Sequence, residues 1–307
     1  MIEETICEDL DLSHLSAEAK LAAMLPAQER IKKIRAERWI GYSTANRVLI
    51  GLEELFTWPE RVRMQNMLLI GPTNNGKSMI IEKFRRQHLP YTSNDGSREV
   101  IPVLVMQMPS DPSVSRFYTM LLYAMNAPMG GIRRVQNLEV LSLRLMKETQ
   151  VKMLVIDELH NILAGGLSIR NEFLNLLRFL GNTLRIPVIG VGTEDAYRAI
   201  RSDDQLENRF KPFILPRWKD DEELMSLLVS FKVSLPLRRS SNLSSRELAR
   251  YILARTEGTI GEITTLLTYA AIIAIDTGEE AINSKTFAMT DYDSPTERRR
   301  KFEREIV

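Results

Sequence analysis

The sequence has one cysteine and three histidines, and it has no excess of charge of either sign. A single cysteine, Cys7, excludes an internal disulfide and a cysteine-rich zinc site, and it is typical of a reducing compartment. The histidines, His14, His88 and His160, lie too far apart for the short spacing of zinc ligands. The net charge of +1 excludes a uniformly basic surface, so any contact with nucleic acid must come from a local patch.

Long apolar segments are also missing. No run approaches the ~18 residues that a membrane span needs, and the best segment, YAAIIAIDTG, is interrupted by Asp276. The start of the chain, MIEETICEDLDLSHL, is acidic and contains no apolar core of the kind found in signal peptides. We therefore expect a cytoplasmic protein that has no membrane partner.

Short apolar runs alternate with helical patterns over the first two thirds of the chain. The runs lie at 67–70, 101–106, 153–156, 188–191 and 213–215. Unalternated runs of this length indicate a parallel sheet covered by helices on both faces, and so a three-layer α/β/α fold. After Pro216 only helical patterns remain, at 220–233, 245–256 and 260–276, and Ser244 with Glu247 forms a capping box before the second.

The change of pattern near Pro216 predicts a domain boundary. We expect an N-terminal helical extension at 1–45 (with a helix at 27–40), an α/β core at 46–216, a helical lid at 217–289 and a C-terminal tail at 290–307. In the tail, the basic cluster 298–301 alternates with acidic residues, which is typical of a solvated helix or a frayed terminus. A docking tail for a partner protein is the alternative.

The strongest motif is the string GPTNNGKS at 71–78, a complete G-x-x-x-x-G-K-S phosphate-binding loop between a predicted strand and a predicted helix. Glycines at its ends permit turns that a Cβ would hinder, so that backbone amides converge on an anion. Lys77 is expected to reach the β- and γ-phosphates, and the Ser78 hydroxyl to bind Mg²⁺. The residues expected to bind the nucleotide are Gly71, Pro72, Thr73, Asn74, Asn75, Gly76, Lys77, Ser78 and Met79.

A second motif is the apolar run that ends in the acidic pair Asp157-Glu158. A carboxylate at the end of a strand, here Asp157, can hold Mg²⁺ through water, because hard cations prefer oxygen ligands. Glu158 is then placed to act as the general base that activates the attacking water. Alone, such a pair is also typical of a solvated loop, but it follows a full phosphate-binding loop by some 80 residues.

Two further residues are candidates for the catalytic site. Thr193 follows the run at 188–191, where it could sense the γ-phosphate or the attacking water; an N-cap for a helix at 194–200 is the alternative. Arg209 precedes the last apolar run and could reach the nucleotide of a neighbouring subunit as an arginine finger. Its alternative is a surface arginine paired with Glu207 or Asp204, and Arg201 is a rival for the same role.

These motifs, in this order and with a helical region after them, resemble the AAA+ ATPases. Within that class the chain looks most similar to the transposition ATPases of the TniB family and to their relatives TnsC and MuB. The strings that carry the resemblance span about residues 27–270 and are RWIGY at 38–42, GPTNNGKS at 71–78, IDELHN at 156–161, DQLENRF at 204–210 and EGTIGEI at 257–263.

The resemblance implies an ATP- and Mg²⁺-dependent ATPase that regulates DNA transposition. Such proteins form rings or helical filaments on double-stranded DNA, recruit a DDE-type transposase (TniA-like) and work with a target-selection protein (TniQ-like). It also makes Arg209 the preferred arginine finger. In one respect the chain departs from the class: many AAA+ lids carry a sensor arginine in a G-x-x-R pattern, and here Gly261 takes its place. Slow hydrolysis is expected from that departure.

Other functions remain open at this point. A helicase loader or a DNA-repair ATPase would share every nucleotide motif, and a nucleotide-gated DNA-binding scaffold with little hydrolysis would share most of them. Glu158 argues against the scaffold, because a scaffold needs no general base. The residues that could contact DNA are Ser113, Ser115, Arg116, Arg133 and Arg134, and solvated surface side chains are an equal alternative for each.

Overall fold

A computed structural model describes residues 11–128, 130–131 and 134–306 of the 307. The chain divides into two compact units. We call residues 44–216 the α/β unit, and we call the residues up to 43 together with those from 217 onward the helical unit. The segments at the two ends of the chain, which the sequence separates by more than 170 residues, therefore belong to the same unit.

The α/β unit is built on a five-stranded parallel sheet with the strand order β4-β5-β6-β1-β7. The strands are β1 (Asn66–Ile70), β4 (Val103–Gln107), β5 (Met153–Asp157), β6 (Val188–Gly192) and β7 (Phe210–Ile214). A separate antiparallel hairpin pairs β2 (Tyr91–Thr92) with β3 (Glu99–Val100). Because the five strands are parallel, their carboxyl ends meet at one edge of the sheet, which is where ligands bind in open α/β folds.

Burial explains why these strands are apolar throughout and do not alternate between apolar and polar residues. Every residue of β1 and β6 is buried, as are the first four of β5, because helices cover both faces of the sheet. The edge strand β7 is only partly buried. The three-layer α/β/α arrangement predicted from the sequence is thus confirmed.

The helices follow most of the predicted patterns. They are α1 (Ala17–Ala23), α2 (Ala27–Arg35), α3 (Ser43–Thr57), α4 (Lys77–Gln87), α5 (Val114–Ala124), α6 (Val135–Glu148), a 3₁₀ helix (Leu159–Ala164), α7 (Leu167–Leu184), α8 (Glu194–Arg201), α9 (Asp204–Glu207), α10 (Glu222–Ser234), α11 (Arg246–Thr256), α12 (Ile260–Asp276), α13 (Ser284–Ala288) and α14 (Pro295–Ile306).

Several boundaries differ from the expectation, and four of the differences are informative. The second predicted strand begins at Val103 rather than at 101, and the last one spans Phe210–Ile214 rather than 213–215. Pro212 misled the prediction of β7, since proline is tolerated there only because the strand lies at the sheet edge. The helix predicted at 27–40 ends at Arg35, where Ala36 turns to extended backbone. The cap of α11 is Ser245, whose side chain accepts from the amide of Leu248, and not Ser244.

The tail belongs to the helical unit as the exposed helix α14. Its Arg298 donates to the carboxylate of Glu262 on α12 at 2.6 Å, and the hydroxyl of Tyr292 donates to the same carboxylate at 2.8 Å. Glu262 is 7% exposed. A buried carboxylate needs such partners, so the start of α14 is fixed to α12 rather than frayed.

No single helix in the described residues is both long enough and apolar enough to cross a membrane. Helices α11 and α12 together have the length and composition of a membrane span, but the chain bends by 114° between them.

Candidate nucleotide-binding site

The phosphate-binding loop connects β1 to α4. Its last glycine, Gly76, has a φ of 81°, the left-handed conformation that favours glycine, and it stands at the N-cap position of α4. Lys77 is the first residue of the helix, so the backbone amides of the first turn are free of intrahelical partners. A strand, a glycine turn and a helix N-terminus together form an anion-binding arrangement.

The first glycine of the loop is needed for a different reason. A Cβ on Gly71 would stand 2.9 Å from the carbonyl oxygen of Leu215 and 3.1 Å from its Cβ, just past the end of β7. The sequence alone suggested a backbone turn as the reason for both glycines. At Gly71 close packing against the neighbouring strand, and not the turn, excludes a side chain.

We expect Gly71→Ala to lower the free energy of unfolding by about 1–3 kcal/mol, because the added methyl group must push apart a packed backbone. Nucleotide affinity should fall as well, since the loop moves. Thermal unfolding and titration with a fluorescent ATP analogue measure the two effects. The matched control is Gly166→Ala, where a Cβ meets nothing within 4 Å; equal losses in both variants would contradict the packing argument.

Asn75 was predicted only as a member of the loop, but its side chain also bonds the loop to a distant part of the chain. It is 3% exposed, and its Nδ2 donates to the carbonyl oxygens of Leu215 and Pro216 at 3.0 Å each. These bonds tie the loop to the chain that follows β7. An asparagine at an unspecified position of the motif gives no signal of this kind in the sequence.

Lys77 lies at the mouth of the loop. Its Nζ donates to the carbonyl oxygens of Gly71 at 2.9 Å and of Pro72 at 2.7 Å. Burial lowers the pKa of Lys77 below its usual 10.5, and the nearby carboxylates of Glu158 and Asp157 offset part of that effect. The ammonium group is thus held by the loop and faces two acids.

The acidic pair at the end of β5 meets the loop. The Ser78 hydroxyl donates to Oδ2 of Asp157 at 2.6 Å, and Oδ1 of Asp157 accepts from the amide of Glu158 at 2.8 Å. A hydroxyl and a carboxylate in contact offer the oxygen ligands that Mg²⁺ prefers. The structure therefore brings together the two residues that the sequence predicts to hold the metal, although they lie 79 positions apart.

Glu158 follows Asp157 in the left-handed conformation, with a φ of 54°. One of its carboxylate oxygens, Oε2, lies 3.1 Å from Nε2 of His160 in the 3₁₀ helix. No sequence signal pointed to a role for this histidine. Among the described residues there is no cluster of three or more histidine, cysteine or acidic side chains that could hold a metal ion.

Thr193 lies between the loop and the acidic pair, because β6 separates β1 from β5 in the sheet. It occupies the N-cap position of α8, yet its side chain makes no capping bond. Its Oγ1 is buried and has no hydrogen-bond partner among the described residues. A buried hydroxyl without a partner is uncommon and calls for an explanation, which a bound phosphate or water would supply.

The two arginines proposed as fingers have partners within the α/β unit. Arg209 donates from Nη1 to Oδ1 of Asn182 on α7 at 2.9 Å, so its partner is neither of the acids considered from the sequence. Arg201 is two-thirds exposed, and its Nε lies 3.4 Å from the carboxylate of Glu207.

Three of the DNA candidates lie at or near the start of α5, and a fourth lies just before α6. Ser113 caps α5 by accepting from the amide of Arg116, and the guanidinium of Arg116 pairs with Asp111 at 3.1 Å. The backbone carbonyl of Ser115 accepts from the Thr119 hydroxyl. Arg134 is exposed just before α6, and Arg133 lies outside the described residues.

The sheet order and the meeting of a phosphate-binding loop with an acidic pair define a P-loop protein of the AAA+ ATPase class. A family model described as "Bacterial TniB protein" matches residues 30–220. The chain therefore belongs to the TniB family, as the resemblance in the sequence predicted. No curated protein matches it.

Solved structures agree on the fold. The ORC2 protein of Aeropyrum pernix, solved in ADPNP-ADP complexes, is 14% identical with a TM-score of 0.55, over 83% of this chain and 70% of that one. CDC6P from Pyrobaculum aerophilum is 15% identical with a TM-score of 0.54, over 82% and 68%. Drosophila ORC bound to DNA is 13% identical with a TM-score of 0.52, over 94% and 68%. At such low identity these likenesses show the fold alone.

Proposed function

We propose that this protein is an ATP-dependent regulator of DNA transposition, which oligomerises on target DNA and recruits or activates a transposase. The observation that carries the proposal is the meeting of Ser78 with Asp157, beside Lys77 and Glu158, in a member of the TniB family. The loop fits a nucleoside triphosphate, because it combines a helix N-terminus, a buried lysine and an unsatisfied buried hydroxyl on Thr193.

In the nucleotide-bound state we assign the phosphates to the backbone amides of residues 73–79 and to the ammonium group of Lys77. Ser78 would hold Mg²⁺ directly and Asp157 would hold it through water. The metal, when bound, supplies positive charge that offsets the charge on the phosphates. The Ser78–Asp157 contact keeps both oxygen ligands at the loop mouth before the nucleotide arrives.

For hydrolysis, Glu158 accepts the proton of the attacking water as general base. Thr193 orients that water or the γ-phosphate through its hydroxyl. Arg209 of a neighbouring subunit stabilises the charge of the transition state, which requires it to leave Asn182. Gly261 stands where many lids carry an arginine, and we attribute a slow turnover to that replacement.

The proposed partners follow from the family: double-stranded DNA, further copies of this chain in a ring or helical filament, a TniA-like DDE transposase and a TniQ-like protein. A net charge of +1 fits a protein whose DNA affinity comes from many copies that each make few contacts. One of the structures with a similar fold, Drosophila ORC, is described as bound to DNA. We place the protein in the bacterial cytoplasm.

Electron microscopy with duplex DNA, in ATP and in ADP, tests the proposal, together with phosphate release and capture of the purified transposase. ATP-dependent filaments that bind the transposase are expected, with turnover below ~10 s⁻¹, the median for enzymes. Filaments without phosphate release would indicate the nucleotide-gated scaffold. Binding to a replicative helicase instead of the transposase would indicate a loader.

The two arginines Arg133 and Arg134 provide a test of DNA contact. If both arginines touch phosphates, replacing both by alanine should make the DNA association constant less sensitive to salt. The negative slope of log K against log salt should become shallower by about 2 for each subunit, because fewer counterions are released. Filter binding over a range of salt concentrations measures the slope. Arg144→Ala on α6, an exposed arginine paired with Glu148, is the matched control. An unchanged slope in the double variant would reject the assignment.

A further inference from the structure

His160 lies beside the proposed general base but takes no part in the function proposed above. It is the second residue of the 3₁₀ helix that follows Glu158, and its Nε2 lies 3.1 Å from Oε2 of that glutamate. An ionised carboxylate only accepts hydrogen bonds, so in any bond between these two groups the Nε2–H of the ring is the donor. In the neutral ring Nδ1 is then left as an acceptor.

The other side of the ring is held against the end of β6. Its Nδ1 is buried, has no hydrogen-bond partner in the described part of the chain, and lies 3.4 Å from where a Cβ on Gly192 would stand. Thr193, the next residue after Gly192, carries another buried polar atom without a partner among the described residues, Oγ1. The two atoms belong to residues beside Gly192, and a buried polar atom without a partner costs about 1–3 kcal/mol of stability, so each calls for an explanation.

The orientation of the Glu158 carboxylate depends on a contact outside its own backbone. Glu158 is itself in the left-handed conformation just past the end of β5, and its side chain is 37% exposed, so packing alone does not select one rotamer. The contact with His160 holds Oε2 and leaves Oε1 to take a proton from water. A general base must stand within hydrogen-bond reach of that proton, and a displacement of about 1 Å can cost ~10²-fold in rate.

We infer that His160 is a positioning residue, which orients the Glu158 carboxylate for proton abstraction and fixes it relative to Thr193 at the end of β6. The inference rests on the proposed function, in which Glu158 is the general base. His160 touches neither nucleotide nor metal in this assignment; it acts through Glu158.

Two substitutions of the same residue separate this role from a structural one. In His160→Gln the amide nitrogen takes the place of Nε2 and keeps the bond to Glu158. In His160→Asn the shorter side chain keeps a polar atom near Nδ1 but cannot reach the carboxylate. We expect His160→Asn to lower kcat for ATP about tenfold with KM within twofold, and His160→Gln to recover most of the loss.

The controls make each outcome decisive. His88→Gln changes another histidine that pairs with a glutamate, Glu53 at 2.8 Å, at the far end of α4, and should leave kcat unchanged. Thermal midpoints show which variants fold. Equal kcat in His160→Asn, His160→Gln and wild type would overturn the inference, as would a loss that appears in KM. If Glu158→Gln hydrolyses ATP like wild type, the proposed function itself fails; if Glu158→Gln is inactive and His160→Asn is not, only the role of His160 fails.

Discussion

Replacing Glu158 by glutamine is expected to lower kcat for ATP hydrolysis by about 10²–10⁴-fold, the contribution typical of a general base. Glutamine keeps the size of the side chain but cannot accept the proton of the attacking water. ATP affinity should stay within twofold, because Lys77 and the loop amides, and not Glu158, are assigned to the phosphates. Phosphate release under saturating ATP and equilibrium binding of a fluorescent ATP analogue measure the two quantities.

The same variant tests the link between hydrolysis and assembly. If hydrolysis disassembles the oligomer, Glu158→Gln filaments on duplex DNA should persist in ATP after wild-type filaments have disappeared. The matched control is Glu172→Gln, which changes an exposed glutamate on α7 and should behave as wild type. Wild-type turnover in Glu158→Gln would remove the general base from the mechanism. Wild-type filament lifetimes in an inactive Glu158→Gln would show that hydrolysis does not drive disassembly.

The second large effect is on stability, at a buried ion pair in the helical unit. Arg30 is 2% exposed; its two terminal nitrogens donate to the carboxylate oxygens of Glu280 at 2.7 and 2.6 Å, and Nη1 also reaches the carbonyl of Pro236. Glu280→Ala is expected to lower the stability of this unit by about 3–5 kcal/mol, because it leaves a buried cation without its counter-charge. Urea unfolding followed by far-UV circular dichroism measures the loss.

Two comparisons isolate the buried charge as the cause. Replacing both partners by methionine should restore much of the stability, because removing a whole buried pair is often neutral. Glu222→Ala, which breaks an exposed pair with Arg246, should cost less than ~1 kcal/mol. A loss in the double variant as large as that in Glu280→Ala would show that side-chain packing, rather than the unpaired cation, is responsible.

This pair also predicts how stability depends on pH. Burial alone would raise the pKa of Glu280, but hydrogen bonds from Arg30 and from the Arg238 amide outweigh it and hold the pKa below its usual 4.5. A lowered carboxyl pKa contributes stability that is fully present above the unfolded-state pKa and is lost as the pH falls through the folded-state pKa. The wild type should therefore lose stability below about pH 4.5, and the double methionine variant should lose less.

Much of the site could be predicted because its chemistry is local in sequence. A phosphate-binding loop needs glycines, a lysine and a hydroxyl within eight consecutive positions, so the string at 71–78 predicted the turn and the start of α4. The acidic pair at 157–158 was recognisable for the same reason, since it directly follows an apolar strand. The bonds of Asn75 to the chain after β7 gave no sequence signal, because their partners lie 140 and 141 residues away.

The errors have a common physical origin, because each depends on where a residue lies in the folded chain and not on its neighbours in the sequence. Proline at 212 weakens a strand prediction, and only the place of β7 at the sheet edge explains why proline is tolerated there. Ser244 and Ser245 are equally good caps by composition, and the geometry of the α11 terminus selects Ser245. The short hairpin of β2 and β3 lacks the apolar alternation that marks a strand, because three of its four residues are exposed.

The sequence by itself determined the class of protein, most of the strands and helices along the chain and the position of the phosphate-binding loop, because those depend on short-range patterns. Only the tertiary structure decided that Ser78 contacts Asp157, that His160 lies beside the Glu158 carboxylate, that Arg209 donates to Asn182 and that Arg30 is buried against Glu280. Most of these contacts join positions far apart in the chain, and all depend on how strands, helices and side chains are placed in space, which spacing along the sequence does not specify.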